Sequence, residues 1–270
     1  MNQLLHTPEG VRDIYNDECE RKIILEERLL TVLKSYGYHP IQTPTFEFFD
    51  IFGKEIGTTP SKDLYKFFDR EGNTLELRPD ITPSIARCAS KYYMEQAIPI
   101  RLCYTGNTFR NNSSYQGRLK ENTQSGAELI GDGSVEADAE MLALSAQLLK
   151  TAGLKEFQLS VGHADFLRGL FEAANLEEDV MEEIRNLLLN RNLYGVQEVV
   201  EQHVADENLK QLFGLLTDVM LDKEKITAAK AWAADYQRVF NALTRLEELA
   251  ELLEVYKIRK YVSYELAMKS

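Results

Sequence analysis

Cysteine, tryptophan, histidine and basic charge are all scarce in this chain, and each shortage narrows what it can do. Its 270 residues hold three cysteines, one tryptophan and four histidines. Cys19, Cys88 and Cys103 cannot all pair with one another and have no metal-ligand spacing, so buried free thiols in a reducing compartment are expected. Lys and Arg total 31 against 43 Asp and Glu, a net charge of −12. Phosphate contacts dominate nucleic-acid affinity and leave a basic footprint, so this balance speaks against a nucleic-acid partner. No run reaches the ~18 apolar residues that a membrane-spanning helix needs, and no membrane association is expected. The N-terminal segment from Met1 to Pro8 lacks the apolar core and cleavage site of a signal peptide, which makes the cytoplasm the expected location. There is no Ser/His/Asp set, no metal-ligand cluster and no phosphate-cradling glycine loop, so neither a metal nor a cofactor is expected.

What remains is an ordinary globular composition, 44% apolar and 27% charged, long enough for one or two domains. Apolar residues at helical spacing (Ile24, Leu25, Leu29, Val32, Leu33) predict a helix from about Asp17 to Tyr36, capped by Asn16 or Asp17 and ended by Gly37. Tyr38–Ile41 reads as a strand, followed by the aromatics Phe46, Phe48, Phe49 and Phe52, which are expected in the core or at a dimer interface. Tyr65–Phe68 and Thr74–Leu77 flank Glu71-Gly72-Asn73 as a hairpin would. A helix is expected from Pro83 to about Met94, then strands at Ile100–Thr105, Thr108–Arg110 and Thr123–Ile130, a helix over Gly133–Lys150 and a strand at Phe157–Val161.

From His163 the pattern becomes helical, at Leu167–Ala174, Glu177–Asn190, Val196–Val204, Asn208–Val219 and Trp232–Leu253, with one more strand in Ile258–Met268. The expected fold class is therefore α+β. A mixed, mainly antiparallel sheet flanked by helices occupies residues 1–163, with a returning strand in 254–270, and a helical insertion occupies 164–253.

The richest stretch runs from Leu75 to Gly131. Arg78, Asp80, Arg110 and Glu128 are fixed charges inside apolar, strand-like segments, and burying an ion is costly unless it is paired or bound. The two-residue period of the last strand puts Gln124, Gly126 and Glu128 on one face. Together these residues predict a polar pocket built on a sheet.

The same segments carry a family resemblance. Thr7-Pro8-Glu9-Gly10-Val11-Arg12-Asp13, the run from Gly37-Tyr38 to Thr43-Pro44-Thr45-Phe46-Glu47, and Phe109-Arg110 with Gln116-Gly117-Arg118 resemble the signatures of class II aminoacyl-tRNA synthetases of the histidyl type. Leu77-Arg78-Pro79-Asp80-Ile81-Thr82, Ile85-Ala86-Arg87, Arg101-Leu102-Cys103-Tyr104 and Gly162-His163-Ala164-Asp165-Phe166 resemble one group of paralogues more closely, the regulatory subunits of ATP phosphoribosyltransferase. The resemblance implies the class II synthetase-like fold. It also implies a histidine pocket lined by Asp80, Thr82, Gln124 and Glu128, with Arg110 on its phosphate or carboxylate side.

Departures from the synthetase pattern point the same way. Adenylate formation needs phosphate charge stabilisation and a stacked adenine. Asn112 stands where the synthetases usually have Glu, Asn122 where an aromatic would stack, and Lys120 where a fork-shaped Arg is usual. The third class motif and the anticodon-binding domain would lie beyond Ser270, so the chain is expected to lack its C-terminal part or to be unusually short, and not to activate an amino acid as it stands.

Plainer roles stand beside these. Asp80 and Glu128 could pair structurally with Arg78 or Arg110, Thr82 could cap the helix that Pro83 begins, and Gln124 could bond backbone instead of ligand. Arg118 and Lys120 read as exposed loop charges, His163 as a structural hydrogen-bonder, Cys88 and Cys103 as core, and His6, His39 and His203 as unpaired. The expected function is a non-catalytic regulatory subunit that dimerises inside a hetero-oligomer with the short-form catalytic subunit of ATP phosphoribosyltransferase and takes L-histidine as effector. A histidyl-tRNA synthetase catalytic fragment and a stand-alone amino-acid-binding protein are the alternatives.

Overall fold

A computed structural model describes residues 5–51, 59–112, 118–218 and 221–267. Phe52, Gln116, Gly117, Val219 and Met268, all used in the sequence reading, lie outside the described residues. The chain divides into two compact units, Met1–Asp132 with Thr151–Gly153, and Gly133–Lys150 with Leu154–Ser270.

The first unit opens with helix α1 (Asn16–Ser35). It ends where Gly37 adopts φ +82°. Tyr38 N–H then bonds the Leu33 carbonyl at 3.2 Å and Gly37 N–H the Lys34 carbonyl at 3.0 Å, the paired bonds of a Schellman cap. Its start differs from expectation. The N-cap is Tyr15 with no side-chain capping bond, and Asp17 and Glu18 instead place negative charge in the first turn.

Strands β1 (His39–Pro40), β5 (Ile100–Phe109) and β6 (Glu121–Ile130) form one sheet in the order β1-β5-β6, with β1 parallel and β6 antiparallel to β5. β5 is one strand of 10 residues, not the expected two. Gly106 and Asn107, which read as a break, are there for close contacts. A Cβ on Gly106 would lie 2.5 Å from Arg78 Nη2. Asn107 spans the ladder, donating from Nδ2 to Glu121 at 2.7 Å and accepting from the Thr123 hydroxyl at 3.1 Å.

A second antiparallel sheet, in the order β2-β4-β3, joins β2 (Phe46–Phe48), β4 (Thr74–Leu77) and β3 (Lys66–Phe68). The expected hairpin is present, closed by Asp69, whose carboxylate accepts the backbone N–H and the side-chain amide of Asn73 at 2.8 Å each. β2 emerges from a stretch whose aromatics gave no strand pattern of their own. Helix α2 (Thr82–Tyr92) follows β4, and its Ile85, with Ile81 just before it, packs on Leu102 and Tyr104 of β5. That apolar contact fixes the start of α2 above the β5–β6 ladder.

The second unit holds α3 (Val135–Thr151), β7 (Leu159–Val161), α4 (Ala164–Ala174), α5 (Glu178–Leu189), α6 (Leu193–His203), α7 (Glu207–Gly214), α8 (Lys223–Ala229), α9 (Gln237–Val255) and β8 (Val262–Tyr264). The expected Trp232–Leu253 helix begins later, because α8 closes in turns through Trp232 and Tyr236 before α9 starts. The last strand is short and pairs in parallel with β7, Leu159 opposite Val262 and Val161 opposite Tyr264, so it does not return to the β5–β6 sheet. One apolar cluster explains this, joining Ala139, Ala143 and Ala146 of α3 to Leu249 and Leu253 of α9 and to Ile258 and Val262. The compact boundary accordingly falls at Gly133, whereas the periodicity of the sequence changes at 163. No helix among the described residues is long and apolar enough to cross a membrane.

Candidate functional site

The site is assembled on β5 and β6 and roofed by the first turn of α2. Gln124, Gly126 and Glu128 follow one another along one face of β6, and opposite Gly126 stands Tyr104 of β5. The chain before α2 brings Asp80 and Thr82 to the same place. Thr82 Oγ1 donates to Glu128 Oε1 at 2.6 Å. Gln124 Nε2 donates to Asp80 Oδ1 at 3.1 Å and to Tyr104 Oη at 3.3 Å. Asp80 Oδ1 also accepts the backbone N–H of Ile81 at 2.7 Å.

These bonds decide among the plainer roles. Thr82 does not cap α2, whose N-cap is Ile81 without a side-chain bond. Arg78 pairs with neither carboxylate. It is buried and gives Nε to the Asn107 carbonyl at 2.7 Å and Nη1 to the carbonyls of Thr43 and Pro44 at 3.0 and 3.3 Å. Arg110 Nε donates to the Pro79 carbonyl at 3.2 Å. Gln124 bonds side chains of the site. Asp80, Thr82, Gln124 and Glu128 therefore come together, half-buried or exposed and open to solvent on one side.

Burial holds the Glu128 carboxyl above the ordinary carboxylate range, and the nearby Asp80 charge adds to this, while hydrogen bonds from Thr82 and Tyr104 oppose it. Burial also pushes the Tyr104 phenol up to about 12, so it stays a neutral hydroxyl at any physiological pH. In the sequence Tyr104 stands out only as part of the Arg101-Leu102-Cys103-Tyr104 motif, and the structure adds it to the site. The signal that could have found it is Gly126, a glycine in the middle of a Gln-x-Gly-x-Glu row, which leaves room for a large cross-strand neighbour.

Gln124 also borders a cavity of about 490 Å³, lined by Pro79, Arg110, Asn112, Arg118, Asn122 and Thr123 among others. Arg118 thus faces the cavity together with Arg110. Lys120 lies elsewhere, since its aliphatic stem packs on Gly10 and its backbone N–H bonds the Gly10 carbonyl at 2.7 Å. Asn122 donates Nδ2 to the Leu119 carbonyl at 3.2 Å. An aromatic platform for a base is thus replaced by an amide that ties down its own loop.

Two carboxyl groups with an amide and hydroxyls, sharing Gln124 with a neighbouring cavity lined by two arginines, offer groups of both signs to a small zwitterion. The acidic groups can accept N–H groups of an ammonium or an imidazole, and the arginines can hold a carboxylate or phosphate. Among the described residues no group of three or more His, Cys, Asp and Glu is placed to hold a metal ion. His163 is a structural hydrogen-bonder, capping α4 by accepting the Asp165 N–H on Nδ1 at 3.2 Å. Cys103 is buried and Cys88 half-buried, both as free thiols.

The model of the histidyl-tRNA synthetase family matches residues 10–269. An ATP phosphoribosyltransferase regulatory subunit of Ruminiclostridium cellulolyticum is 38% identical over 264 residues, covering 98% of this chain and 63% of that protein. The chain thus spans less than two thirds of that relative's length. The protein of the same name from Caldanaerobacter subterraneus is 34% identical and is covered to 68%. A crystal structure of an ATP phosphoribosyltransferase regulatory subunit/histidyl-tRNA synthetase from Bacillus halodurans superposes with a TM-score of 0.88 at 31% identity, over 98% of this chain and 69% of that one. The fold is therefore the class II synthetase-like one, α+β, that the sequence motifs imply.

Proposed function

The chain belongs to the histidyl-tRNA synthetase family, and from that premise we propose that it is a non-catalytic regulatory subunit of ATP phosphoribosyltransferase, the enzyme that opens histidine biosynthesis. In this reading it works in the cytoplasm, binds L-histidine, and transmits feedback to a short-form catalytic subunit inside a hetero-oligomer. The observation that carries the ligand is the bonded set Asp80, Gln124, Tyr104, Glu128 and Thr82 beside the Arg110 and Arg118 cavity. Its carboxyl groups fit the ammonium and imidazole of histidine, and the arginines fit the carboxylate. The lack of synthetase activity is supported by Asn112 and Asn122 in that cavity, where a carboxylate and a stacking ring would serve ATP.

A homodimer is supported by the β2-β4-β3 sheet. Phe46 and Phe48 project from the same face as Leu75, Leu77 and Phe67, and both are half exposed. Exposed aromatics grouped on one sheet face mark an interaction surface. Feedback requires that histidine bind two states of the assembly unequally, since a ligand with equal affinity for both shifts nothing.

The test is calorimetric titration with L-histidine and with ATP in parallel, followed by assay of the catalytic subunit with and without this chain. Histidine binding without ATP binding, together with histidine-dependent inhibition only in the mixture, is the expected result. ATP binding together with histidine would point to a synthetase fragment. Histidine binding with no effect on the phosphoribosyltransferase would point to a stand-alone binding protein.

A further inference from the structure

Tyr104 is 6% exposed and occupies the slot that any side chain at position 126 would fill. A Cβ on Gly126 would lie 2.6 Å from its Oη and 2.7 Å from its Cζ, so the hydroxyl end of the ring sits close against Gly126 of β6. That slot lies between Gln124 and Glu128 on the same face of the strand. The phenol oxygen takes a bond from Gln124 Nε2 at 3.3 Å, and this same amide holds Asp80. On its other side lie Glu128 and Thr82, which are joined to each other by the 2.6 Å bond from Thr82 Oγ1. One buried hydroxyl thus lies between the Asp80 half of the site and the Glu128 half.

We infer that Tyr104, seated on Gly126, is the positioning residue of this site: it sets the spacing of Asp80 and Glu128 for a ligand that presents a cationic amine. The inference rests on the ligand-binding reading above for the ligand, but not for the bonding network. The titratable groups acting on Glu128 are Asp80, before α2, and Tyr104, on β5; Thr82 of α2 adds an uncharged donor. A hydroxyl donating to the carboxylate stabilises the ionised form, whereas burial and the Asp80 charge favour the protonated one. Removing the hydroxyl therefore moves the Glu128 titration upward, and a cationic ligand loses affinity at a higher pH than before.

The experiment compares wild type with Tyr104→Phe, which keeps the ring on Gly126 and removes only the oxygen. Two readouts are taken: the carboxyl titration of Glu128 by carbon-13 NMR in the free protein, and L-histidine affinity by calorimetry between pH 5.5 and 8.5. The expected result is a higher Glu128 midpoint in the variant, histidine binding about tenfold weaker near pH 7, and a pH profile displaced upward, with little change in thermal unfolding. Gly126→Ala, which drives the ring out of its slot, should raise the Glu128 midpoint in the same way. An unchanged Glu128 midpoint in Tyr104→Phe would overturn the inference. If wild type binds no histidine while the midpoint still moves, the positioning role stands and the choice of ligand fails.

Discussion

Thr82, in the first turn of α2, donates its hydroxyl to Glu128 of β6 at 2.6 Å, across 46 positions of sequence. The bond links the helix that roofs the site to the strand that floors it. Hydrogen bonds to a charged group contribute ~1.5–3 kcal/mol when the group is protected from water, and less when one partner is exposed, as Thr82 is. Glu128→Gln should therefore weaken L-histidine binding at least tenfold, about 1.4 kcal/mol. Thr82→Val should cost roughly threefold, because water can replace its hydroxyl. Calorimetric titration of the two variants checks the order; equal affinities in Glu128→Gln and wild type would remove Glu128 from the ligand site.

Much of this site is legible in the chain, and for a physical reason. Side chains alternate along a strand, so Gln124, Gly126 and Glu128 share a face whatever the strand pairs with. Tyr104 could not be placed, because its role depends on β5–β6 register, and register is a tertiary property that a single strand does not display. The same limit explains β8. Its short Val262–Tyr264 segment announces a strand, but its choice of β7 as partner is made by the apolar surfaces of α3 and α9. Gly106 misled in the other direction, looking like a strand break when it is the clearance for Arg78.

Glu76 predicts a pH dependence of stability. It is fully buried, both carboxyl oxygens lack a hydrogen-bond partner, and burial raises its pKa from 4.5 to about 7, with Lys66 pulling the other way. Across the strands it faces Lys66 on one side and Glu47 on the other, and Glu47 is already engaged by Arg87 Nε and Nη2 at 3.0 and 2.7 Å. A folded-state pKa above the unfolded one means that the folded chain binds the proton more tightly. Stability from this group is therefore complete below pH 4.5, falls as pH rises, and levels off above about 7. A shift of this size corresponds to about 3 kcal/mol. Urea unfolding of wild type and Glu76→Gln at pH 5 and pH 8 should show the variant gaining relative stability at the higher pH. A constant difference between the two pH values would mean that Glu76 titrates normally.

Gly106→Ala should be costly although it adds a single methyl group. The new carbon would lie 2.5 Å from Arg78 Nη2 and 3.3 Å from Ile81 Cδ1. A free arginine would swing aside, but this one is held by the carbonyls of Asn107, Thr43 and Pro44. Moving it takes the buried guanidinium away from those partners, at ~1–3 kcal/mol for a buried donor left unsatisfied. A destabilisation of about 2–4 kcal/mol is expected in denaturant unfolding, with histidine binding weakened as well because Ile81 lies between Asp80 and Thr82. Wild-type stability in the variant would show that the guanidinium can relocate freely.

The exposed face of the β2-β4-β3 sheet yields the last prediction. Phe46 and Phe48 are 50% and 56% exposed, and Phe46 meets Phe67 edge-on with ring centroids 5.7 Å apart. Phe48 itself projects outward, so changing it should leave the fold of its own chain nearly untouched. Each such ring buried against a second copy would contribute ~1.5–3 kcal/mol, and a charge placed there would instead have to be desolvated. Sedimentation velocity should find wild type at twice 30.9 kDa and Phe48→Glu at the single mass, with unchanged circular dichroism. A variant that remains dimeric would move the interface away from this sheet. The histidine affinity of the monomer then separates two questions: every residue placed in the site comes from one chain, so binding should survive dissociation, and any feedback that disappears with the dimer belongs to the assembly.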